Sequence, residues 1–340
     1  MNRGKKSPLI SIMIPHHGGK KILQECLDSL KSSDYSNLEI LVLNNNSPDD
    51  SIKKIQPKFP DIKFIHSDKN HGFAGGCNIL AKHSLGEYLL ILNNDTIHKK
   101  NWINNLLKRI EKDDKIASVQ PKINNFYNKN YFDHAGASGG FMDQYCFPFA
   151  RGRIFNTIEK DMGQYDKPCQ VFWASGTAFL TRKIIFDKMG GFDENLFAHM
   201  EEIDYHWRCQ LEGYKVWVEP SSVIYHHGGH TLSLMSPKKT YLNYRNSLIL
   251  LLTNHPLSTS IKLFFPRMLM ESISLVREII FLRWNHGLSI IKSWIYILFH
   301  IKLLINRRIK IKNKKTLTMI SKKSIVCQYF IKGNKTFSTL

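Results

Sequence analysis

The first hundred residues alternate between strand-like and helix-like segments, and this alternation limits the chain to few architectures. Apolar stretches typical of strands are ISIMIP, LEILVLNN, IKFIHS and YLLILNN, and stretches typical of helices lie between them. An order of strand, helix, strand, helix, strand, helix, strand predicts a mostly parallel sheet with right-handed crossovers and helices on both faces. The expected fold class is therefore α/β, with a Rossmann-like sheet.

The segment YLLILNNDT, residues 88–96, ends a buried strand on two amides and a carboxylate. In open α/β sheets the ligand binds just beyond the carboxyl ends of the strands. Asn93, Asn94 and Asp95 are therefore expected at the mouth of a site, where the carboxylate can hold a divalent cation. The alternative is that these residues cap the next helix, because Asn and Asp are preferred caps.

Positive charge is concentrated in the last quarter of the chain. The net charge is +20, and the segment from Pro256 to the end holds 16 Lys and Arg residues against Glu271 and Glu278. The basic residues interrupt apolar stretches at helical spacing, which is typical of helices lying in an anionic membrane interface. No apolar run reaches the roughly eighteen residues of a spanning helix. The alternative is that these helices pack on the rest of the protein or on a second subunit.

Composition and short motifs disfavour several other classes. The six cysteines include no CxxC pair, so neither a zinc knuckle nor a disulfide framework is indicated. The glycines of NHGFAGGCN fit neither GxGxxG nor a P-loop, which disfavours dinucleotide and ATP chemistry. The N-terminal apolar stretch is short and strand-like, unlike a signal peptide, so a cytoplasmic chain is expected. A basic nucleic-acid-binding protein is the competing class, but the charges lie among apolar helices and no base-reading motif is present.

Seven segments, taken in order, resemble the inverting family-2 glycosyltransferases of the GT-A fold, in the rhamnosyltransferase-like branch. They are SIMIP (11–15), LVLNNNSPDDS (41–51), NHGFAGGCN (70–78), LLILNNDT (89–96), SGTAFLTRK (175–183), GGFDENLFAHMEEIDYHWR (190–208) and YHHGGHT (225–231). The resemblance implies a GT-A domain over residues 1–254. Its nucleotide-sugar half would span about 9–120 and its acceptor half about 121–254, followed by a basic, apolar, helical, membrane-associating tail at 255–340.

A set of turn and glycine residues is implied by the resemblance to bind the nucleotide sugar. They are Pro15, Asn44, Asn45, Ser47, Asn70, Gly72, Phe73, Gly76, Asn78, Asn93, Asn94 and Arg208. Glycines before a helix let the backbone approach a ligand and expose a helix N-terminus to negative charge. The NNNS turn can equally satisfy its own backbone, and Asn78 can be an ordinary polar residue of a helix. Asn44 stands where the family usually has Asp, so no nucleotide preference is carried over.

Asp95 and His226 are the metal ligands that the resemblance implies. LNNDT takes the place of the family's DxD motif and keeps only its last acid, with Asn93 in place of the first. One carboxylate with diphosphate and water oxygens can hold Mg²⁺ or Mn²⁺, which would act as a Lewis acid on the departing diphosphate. His227 and His230 lie close to His226 in sequence, and a single His in such a place is more often structural.

The segment HMEEIDYHWR places three acids within four residues. Mutual repulsion and partial burial of Glu201, Glu202 and Asp204 can raise one pKa toward the range of a general base. Outside this context the segment would be an acidic helix face, with Arg208 one turn after Asp204 and able to pair with it. The resemblance makes Glu202 the candidate base, Glu201 the next choice and Asp204 an orienting residue.

Together these features predict a glycosyltransferase in the cytoplasm, peripheral on the inner face of the cell membrane. It would move a sugar, possibly rhamnose as in the branch it resembles, from a dTDP- or UDP-linked donor to a hydroxyl of a glycan or lipid-linked glycan, with inversion. Asn44 and Asn93 leave open a second hypothesis, a transferase-like scaffold without activity. Nucleic acid is not an expected partner.

Overall fold

The computed structural model describes residues 7–228 and 236–340. In chain order the strands are β1 (Ile10–His16), β2 (Leu38–Asn45), β3 (Lys63–Ser67), β4 (Tyr88–Leu92), β5 (Thr96–His98), β6 (Ile116–Asn125), β7 (Gly140–Asp143), β8 (Pro148–Ala150), β9 (Arg153–Ile154), β10 (Thr157–Ile158), β11 (Cys169–Val171), β12 (Ala178–Arg182), β13 (Lys215–His226) and β14 (Ile320–Ser321). The helices are α1 (Lys20–Lys31), α2 (Ser51–Ile55), α3 (Gly72–His83), α4 (Trp102–Ile110), α5 (Lys183–Lys188), α6 (Glu201–Leu211), α7 (Pro237–Asn254), α8 (Leu257–Ile280), α9 (Trp284–Phe299) and α10 (Ile301–Lys310).

Nine strands form the main sheet, and its two halves differ in strand direction. The order is β11-β13-β6-β12-β4-β1-β2-β3, with β5 beside β13. Strands β4, β1, β2 and β3 are parallel, as predicted from their alternation with helices. Strand β12 runs antiparallel between β4 and β6, and β11 and β5 run antiparallel to β13. The α/β fold class is confirmed, with the antiparallel strands confined to the second half.

Strand β4 lies at the centre of the sheet and all five of its side chains are buried. Helices α1 and α4 cover one face of the sheet, while α3, α5 and α6 cover the other. This double cover explains the continuous apolar run of YLLIL. Strand β5 separates this run from α4, whose N-cap residue is Asn101. The alternative in which Asn93–Asp95 cap the next helix is therefore wrong, and these residues are left at the carboxyl end of β4.

The irregular region between β6 and β11 folds into a second, smaller sheet. Its order is β10-β9-β8-β7-β14, so a strand from near the C-terminus completes it beside β7. The strands are two to four residues long, too short to show a side-chain period in the sequence. Apart from β14, this sheet lies within residues 121–254, the half predicted to bind the acceptor.

The C-terminal helices pack on α7 with one face and leave an apolar face exposed. Leu263, Ile290 and Ile297 are buried in this packing. Exposed apolar side chains recur every three or four residues along α8; they are Leu257, Ile261, Phe265, Leu269, Ile273, Val276 and Ile280. No described helix is by itself long and apolar enough to cross a membrane, whereas α9 and α10 meet that criterion only as a pair bent by 70°. The helical extension was predicted, and its inner face contacts the rest of the protein.

Candidate active site

A cavity of about 510 Å³ opens beyond the carboxyl end of β4. Asn93 and Asp95, which follow β4, lie in its wall together with Glu202 from the first turn of α6. Phe73 of α3 and His226 at the end of β13 complete this part of the lining. The fold thus gathers four sequence motifs, spread over more than a hundred residues, around one space. This cavity is the candidate active site.

Burial raises the pKa of both glutamates at the start of α6, but to different extents. Burial raises the pKa of Glu202 to about 7, although surrounding backbone N–H groups favour its carboxylate form. Burial, and then the charge of Glu202, raise the pKa of Glu201 well above its usual range. In the described part of the chain, the Oε2 atom of each residue accepts no hydrogen bond. The environment therefore favours the protonated form of Glu201, whereas Glu202, with a pKa of about 7, can exchange a proton near neutrality, as a general base must.

The segment that leads into α6 has an uncommon backbone conformation. Phe197, His199 and Met200 have φ angles of 63°, 67° and 74°. Left-handed backbone costs a non-glycine residue roughly 1–2 kcal/mol. The segment is therefore strained, and residues outside it must hold it in place for Glu202 to point into the cavity.

Asn246 and Arg245 of α7 hold this strained segment through its carbonyl groups. Asn246 is fully buried, and its Nδ2 donates to the carbonyl oxygens of Leu196, Ala198 and His199 at 2.9, 3.0 and 2.6 Å. The Nη2 atom of Arg245 donates to the same Leu196 carbonyl and to the carbonyl of Asn195 beside it. The sequence analysis missed both residues. Their signal was the pair of strongly polar side chains inside the otherwise apolar helix YLNYRNSLILLL.

Asp95 and His226 lie side by side, with Asp133 behind the histidine. The Nε2 atom of His226 is 3.1 Å from Oδ1 of Asp95, and its Nδ1 is 2.9 Å from Oδ1 of Asp133. Burial lowers the pKa of His226, but the two carboxylates outweigh it and raise the pKa to about 10. The sequence analysis did not identify Asp133. His227 instead stacks on the ring of Phe126, with the two ring centroids 3.8 Å apart. His230 lies outside the described residues.

The spacing of Asp95 and His226 fits a divalent cation. Two ligands about 2.1 Å from an octahedral cation, at right angles, are about 3 Å apart, close to the observed 3.1 Å. Both residues line the cavity. No group of three or more His, Cys, Asp or Glu side chains forms a metal site within the described residues. A cation held here would take its remaining ligands from substrate oxygens and water.

Asn93 and Asn94 have different surroundings although they are adjacent. Asn93 lines the cavity, and its backbone N–H donates to the carbonyl of Thr177 at 2.9 Å. Asn94 is buried, and its Nδ2 donates to Nδ1 of His16 at 2.7 Å. Because burial lowers the pKa of His16 to about 4, this histidine is neutral and can donate from Nε2 to Ser51, 2.8 Å away. Asn94 therefore fixes the end of β1 rather than facing the cavity.

The NNNS turn is held by its own side chains. Oδ1 of Asn44 accepts from the backbone N–H of Ser47 at 3.0 Å. Asn45 is buried and joins the turn to the start of α3, because its Nδ2 donates to the carbonyl of Gly72 and its Oδ1 accepts from the N–H of His71, both at 2.9 Å. The Oγ atom of Ser47 accepts from the backbone N–H of Gly18 at 3.1 Å. These bonds shape the end of β2, as the turn interpretation of this motif predicted.

Gly72 is required where α3 begins against the strained segment. Its φ is 69°, and a Cβ atom placed there would lie 2.3 Å from the carbonyl oxygen of Phe197. The side chain of Asn70 accepts from the N–H of Gly72 at 2.8 Å and so shapes this turn. The next residue, Phe73, lines the cavity. The sequence predicted that these glycines let the backbone approach a ligand, whereas the close approach found at Gly72 is to the protein's own backbone.

Gly76, Pro15 and Asn78 pack elements together rather than lining the cavity. A Cβ atom at Gly76 would be 3.1 Å from the Cβ of Pro15, so this glycine lets α3 lie close to β1. Asn78 exchanges two hydrogen bonds of 2.9 Å with the backbone of Phe192 and donates to Glu194 at 3.0 Å. The sequence offered this structural role for Asn78 as an alternative.

Asp204 and Arg208 lie away from the cavity, in a buried ionic cluster. The predicted pair is confirmed, with Nε of Arg208 2.8 Å from Asp204. Asp204 is fully buried and also accepts from Nη2 of Arg307 at 2.7 Å and from Nδ2 of Asn254 at 2.9 Å. Arg208 donates in addition to the carbonyls of residues 189 and 191. Neither side chain lines the cavity, and the contacts of both are with the protein itself.

Comparisons with known proteins agree with this geometry. The chain matches the sequence profile of Glycosyl transferase family 2 over residues 11–190. It is 24% identical over 225 residues to the O-antigen biosynthesis protein RfbC of Myxococcus xanthus, a match covering 65% of this chain and only 17% of that protein. It is 22% identical over 248 residues to an N-acetylglucosaminyl-diphospho-decaprenol L-rhamnosyltransferase of Mycobacterium tuberculosis, covering 68% and 80%. The crystal structure of GalNAc-T7 with UDP, GalNAc and Mn²⁺ superposes with a TM-score of 0.54 at 18% identity, covering 64% of this chain and 43% of that one.

Proposed function

Since this chain belongs to glycosyl transferase family 2, in its rhamnosyltransferase-like branch and with the GT-A fold, we propose a specific reaction for this glycosyltransferase. It transfers a sugar from a dTDP- or UDP-linked donor to a hydroxyl of a cell-surface glycan precursor, with inversion. The observation that carries this proposal is that Glu202 and the Asp95–His226 pair line the same cavity. Rhamnose as the sugar is supported by the activity named for the mycobacterial relative.

Glu202 acts as the general base in this reaction. With a pKa of about 7 it is partly ionised at neutral pH and can take the proton of the acceptor hydroxyl. The hydroxyl oxygen then attacks the anomeric carbon from the face opposite the nucleoside diphosphate, and the bond to the diphosphate breaks. Burial and the charge of Glu202 raise the pKa of the neighbouring Glu201 well above its usual range, which disfavours a second negative charge beside the base.

Asp95 and His226 would hold Mg²⁺ or Mn²⁺, with the cation taking the place of the Nε2 proton that the raised pKa of His226 otherwise retains. When bound, the cation supplies positive charge to the departing diphosphate. Asp133 orients the ring of His226 through Nδ1, which leaves Nε2 directed at Asp95, in the way that carboxylates position metal-binding histidines. The Mn²⁺ present in the GalNAc-T7 structure supports this choice of ion.

We propose that the protein lies on the cytoplasmic surface of the cell membrane, in contact with it through the exposed apolar face of α8. Phe265 and Leu269 are 73% and 64% exposed, and the tail around them is strongly basic, which suits an interface with anionic headgroups. This position brings the cavity close to a lipid-linked glycan acceptor. Replacing Phe265 and Leu269 with Ser should reduce sedimentation with vesicles containing anionic lipid, while the same changes leave turnover of a water-soluble acceptor intact. Unchanged sedimentation would refute the membrane proposal.

Titration calorimetry with UDP and dTDP, each with and without Mn²⁺, tests the reaction proposal. One nucleotide is expected to bind, and to bind more tightly with the metal. Glu202→Gln should retain this binding and lose turnover by about 10²–10⁴-fold, the usual contribution of a general base. Failure of wild-type protein to bind either nucleotide, or full turnover by the Gln variant, contradicts the proposal.

A further inference from the structure

One wall of the candidate active site is basic. Arg153 comes from β9 of the small sheet, Lys239 from the first turn of α7, and His134 from the stretch after β6. The three residues are distant in sequence, yet all line the cavity that also holds Glu202 and Asp95. The wall lies within reach of anything bound between the base and the metal ligands.

The two cations of this wall lack a carboxylate partner within the described ranges. The Nε atom of Arg153 is buried and donates to no acceptor there. Arg267 lines the same cavity and is different, because its Nε is 2.7 Å from Oε1 of Glu271 and its other nitrogens donate to a carbonyl and to Ser247. Buried cations are normally paired in this way; Arg153 and Lys239 are partly buried and have no such carboxylate within the described ranges.

The neighbouring groups do not neutralise these charges. Burial, and then the charge of Arg153, lower the pKa of Lys239, while burial lowers the pKa of Arg153 to about 10, so the guanidinium stays charged. Asp133 is the acid whose charge raises the pKa of both Lys239 and Arg153. Its Oδ1, however, already accepts hydrogen bonds from Nδ1 of His226 and from the N–H of residue 135. Burial and the two cations lower the pKa of His134 to about 3, so this imidazole adds no charge at pH 7.

We propose that Arg153 and Lys239 bind a phosphate oxyanion of a substrate. The inference rests on the proposed function, because a glycosyltransferase of this kind handles a nucleoside diphosphate and, with a lipid carrier, a second diphosphate. Two adjacent cations match a group with two negative charges, with the planar guanidinium contacting two oxygens and the ammonium acting as a point charge. His134 can donate to or accept from the same group.

Titration of the full chain with sodium pyrophosphate in the absence of metal tests this site directly. Wild type should bind, and Arg153→Gln and Lys239→Gln should each weaken binding by about tenfold or more, as expected for loss of a charge-assisted hydrogen bond. Lys238→Gln is the matched control, since this lysine is exposed next to Lys239. Wild-type affinity in both variants, or no binding by wild type, overturns the proposal. Lys239 is only half-buried, so its variant keeps the test available should the Arg153 variant fail to fold.

The source of the phosphate is distinguished by two further measurements on the same variants. If the donor supplies it, UDP or dTDP binding with Mn²⁺ weakens and the KM for the donor rises. If a diphosphate-linked lipid acceptor supplies it, nucleotide binding stays at the wild-type level and only the KM for that acceptor rises. A change in neither overturns the assignment to a substrate. Pyrophosphate binding that depends on Arg153 and Lys239, in a protein that transfers no sugar, would support the anion site and refute the proposed function.

Discussion

Replacing Asn246 with Ala tests whether the base depends on the strained segment before α6. The Nδ2 group has two protons and contacts three carbonyls, so it makes the equivalent of about two hydrogen bonds. Each is worth about 1 kcal/mol net, and carbonyls left buried without a donor add about 1–3 kcal/mol. Alanine recovers about 0.5 kcal/mol through helix propensity. We expect the free energy of unfolding to fall by about 2–4 kcal/mol.

Turnover should fall as well, because the segment positions Glu202. Without its donor the left-handed stretch at Phe197, His199 and Met200 can relax toward ordinary backbone, which moves the first turn of α6. A displacement of about 1 Å at a reacting group costs on the order of 10²-fold in rate. The KM for the donor should change little, since Asp95 and His226 lie on other elements.

Asn254→Ala is the matched control for this experiment. Asn254 lies on the same helix, is also fully buried, and donates through Nδ2 to Asp204 rather than to the strained segment. Thermal unfolding and steady-state turnover would be measured for both variants well below their melting temperatures. Both should lose stability, and only the Asn246 variant should lose kcat. Equal kcat values in the two variants would refute the positioning argument.

Three further predictions concern the two glutamates of α6 and the close contact at Gly72. Since Glu202 must be deprotonated to act and its pKa is raised to about 7, kcat should decrease about tenfold per pH unit below pH 7 and level off above it; a flat pH–rate profile would contradict this. Glu201→Gln should retain this profile with a much smaller loss than Glu202→Gln, because burial raises the pKa of Glu201 well above its usual range and so favours the neutral form that Gln resembles. In denaturant unfolding, Gly72→Ala should lower the free energy of unfolding more than Gly213→Ala does. Both glycines have a positive φ, but only at Gly72 would a Cβ atom meet a carbonyl oxygen, that of Phe197. A Cβ atom at Gly213 would have nothing within 4 Å. Equal destabilisation would rule out that close contact.

The order of elements and the location of the site could be predicted from sequence because they depend on local patterns. The apolar run of β4 and its polar ending placed Asp95 at the carboxyl end of a central strand, as found. Helical spacing could also have predicted that Glu202 and Asp204 point in different directions. Residues two apart on a helix do not face the same side, and the structure directs one into the cavity and the other into a buried ionic cluster.

The roles of the amides could not be predicted, because an amide serves a ligand or the backbone equally well and only its neighbours decide. Asn45 and Asn78 bind main-chain groups that are 26 to 114 residues away in sequence. Asn246 acts on a segment whose left-handed backbone has no signature in residues such as Phe, His and Met. The basic wall was missed for a related reason, since β9 is only two residues long.

The contact between Asp204 and Arg307 has a consequence for how the protein is made. These residues are 103 positions apart, and chains emerge from the ribosome N-terminus first. Until α10 has been synthesised, the helix that carries the base holds a buried carboxylate without one of its cations, and breaking such a buried pair costs about 3–5 kcal/mol. A chain that stops before α10 therefore keeps the pair of Arg208 with Asp204 but lacks Arg307, and its α6 should be less stable than in the full chain.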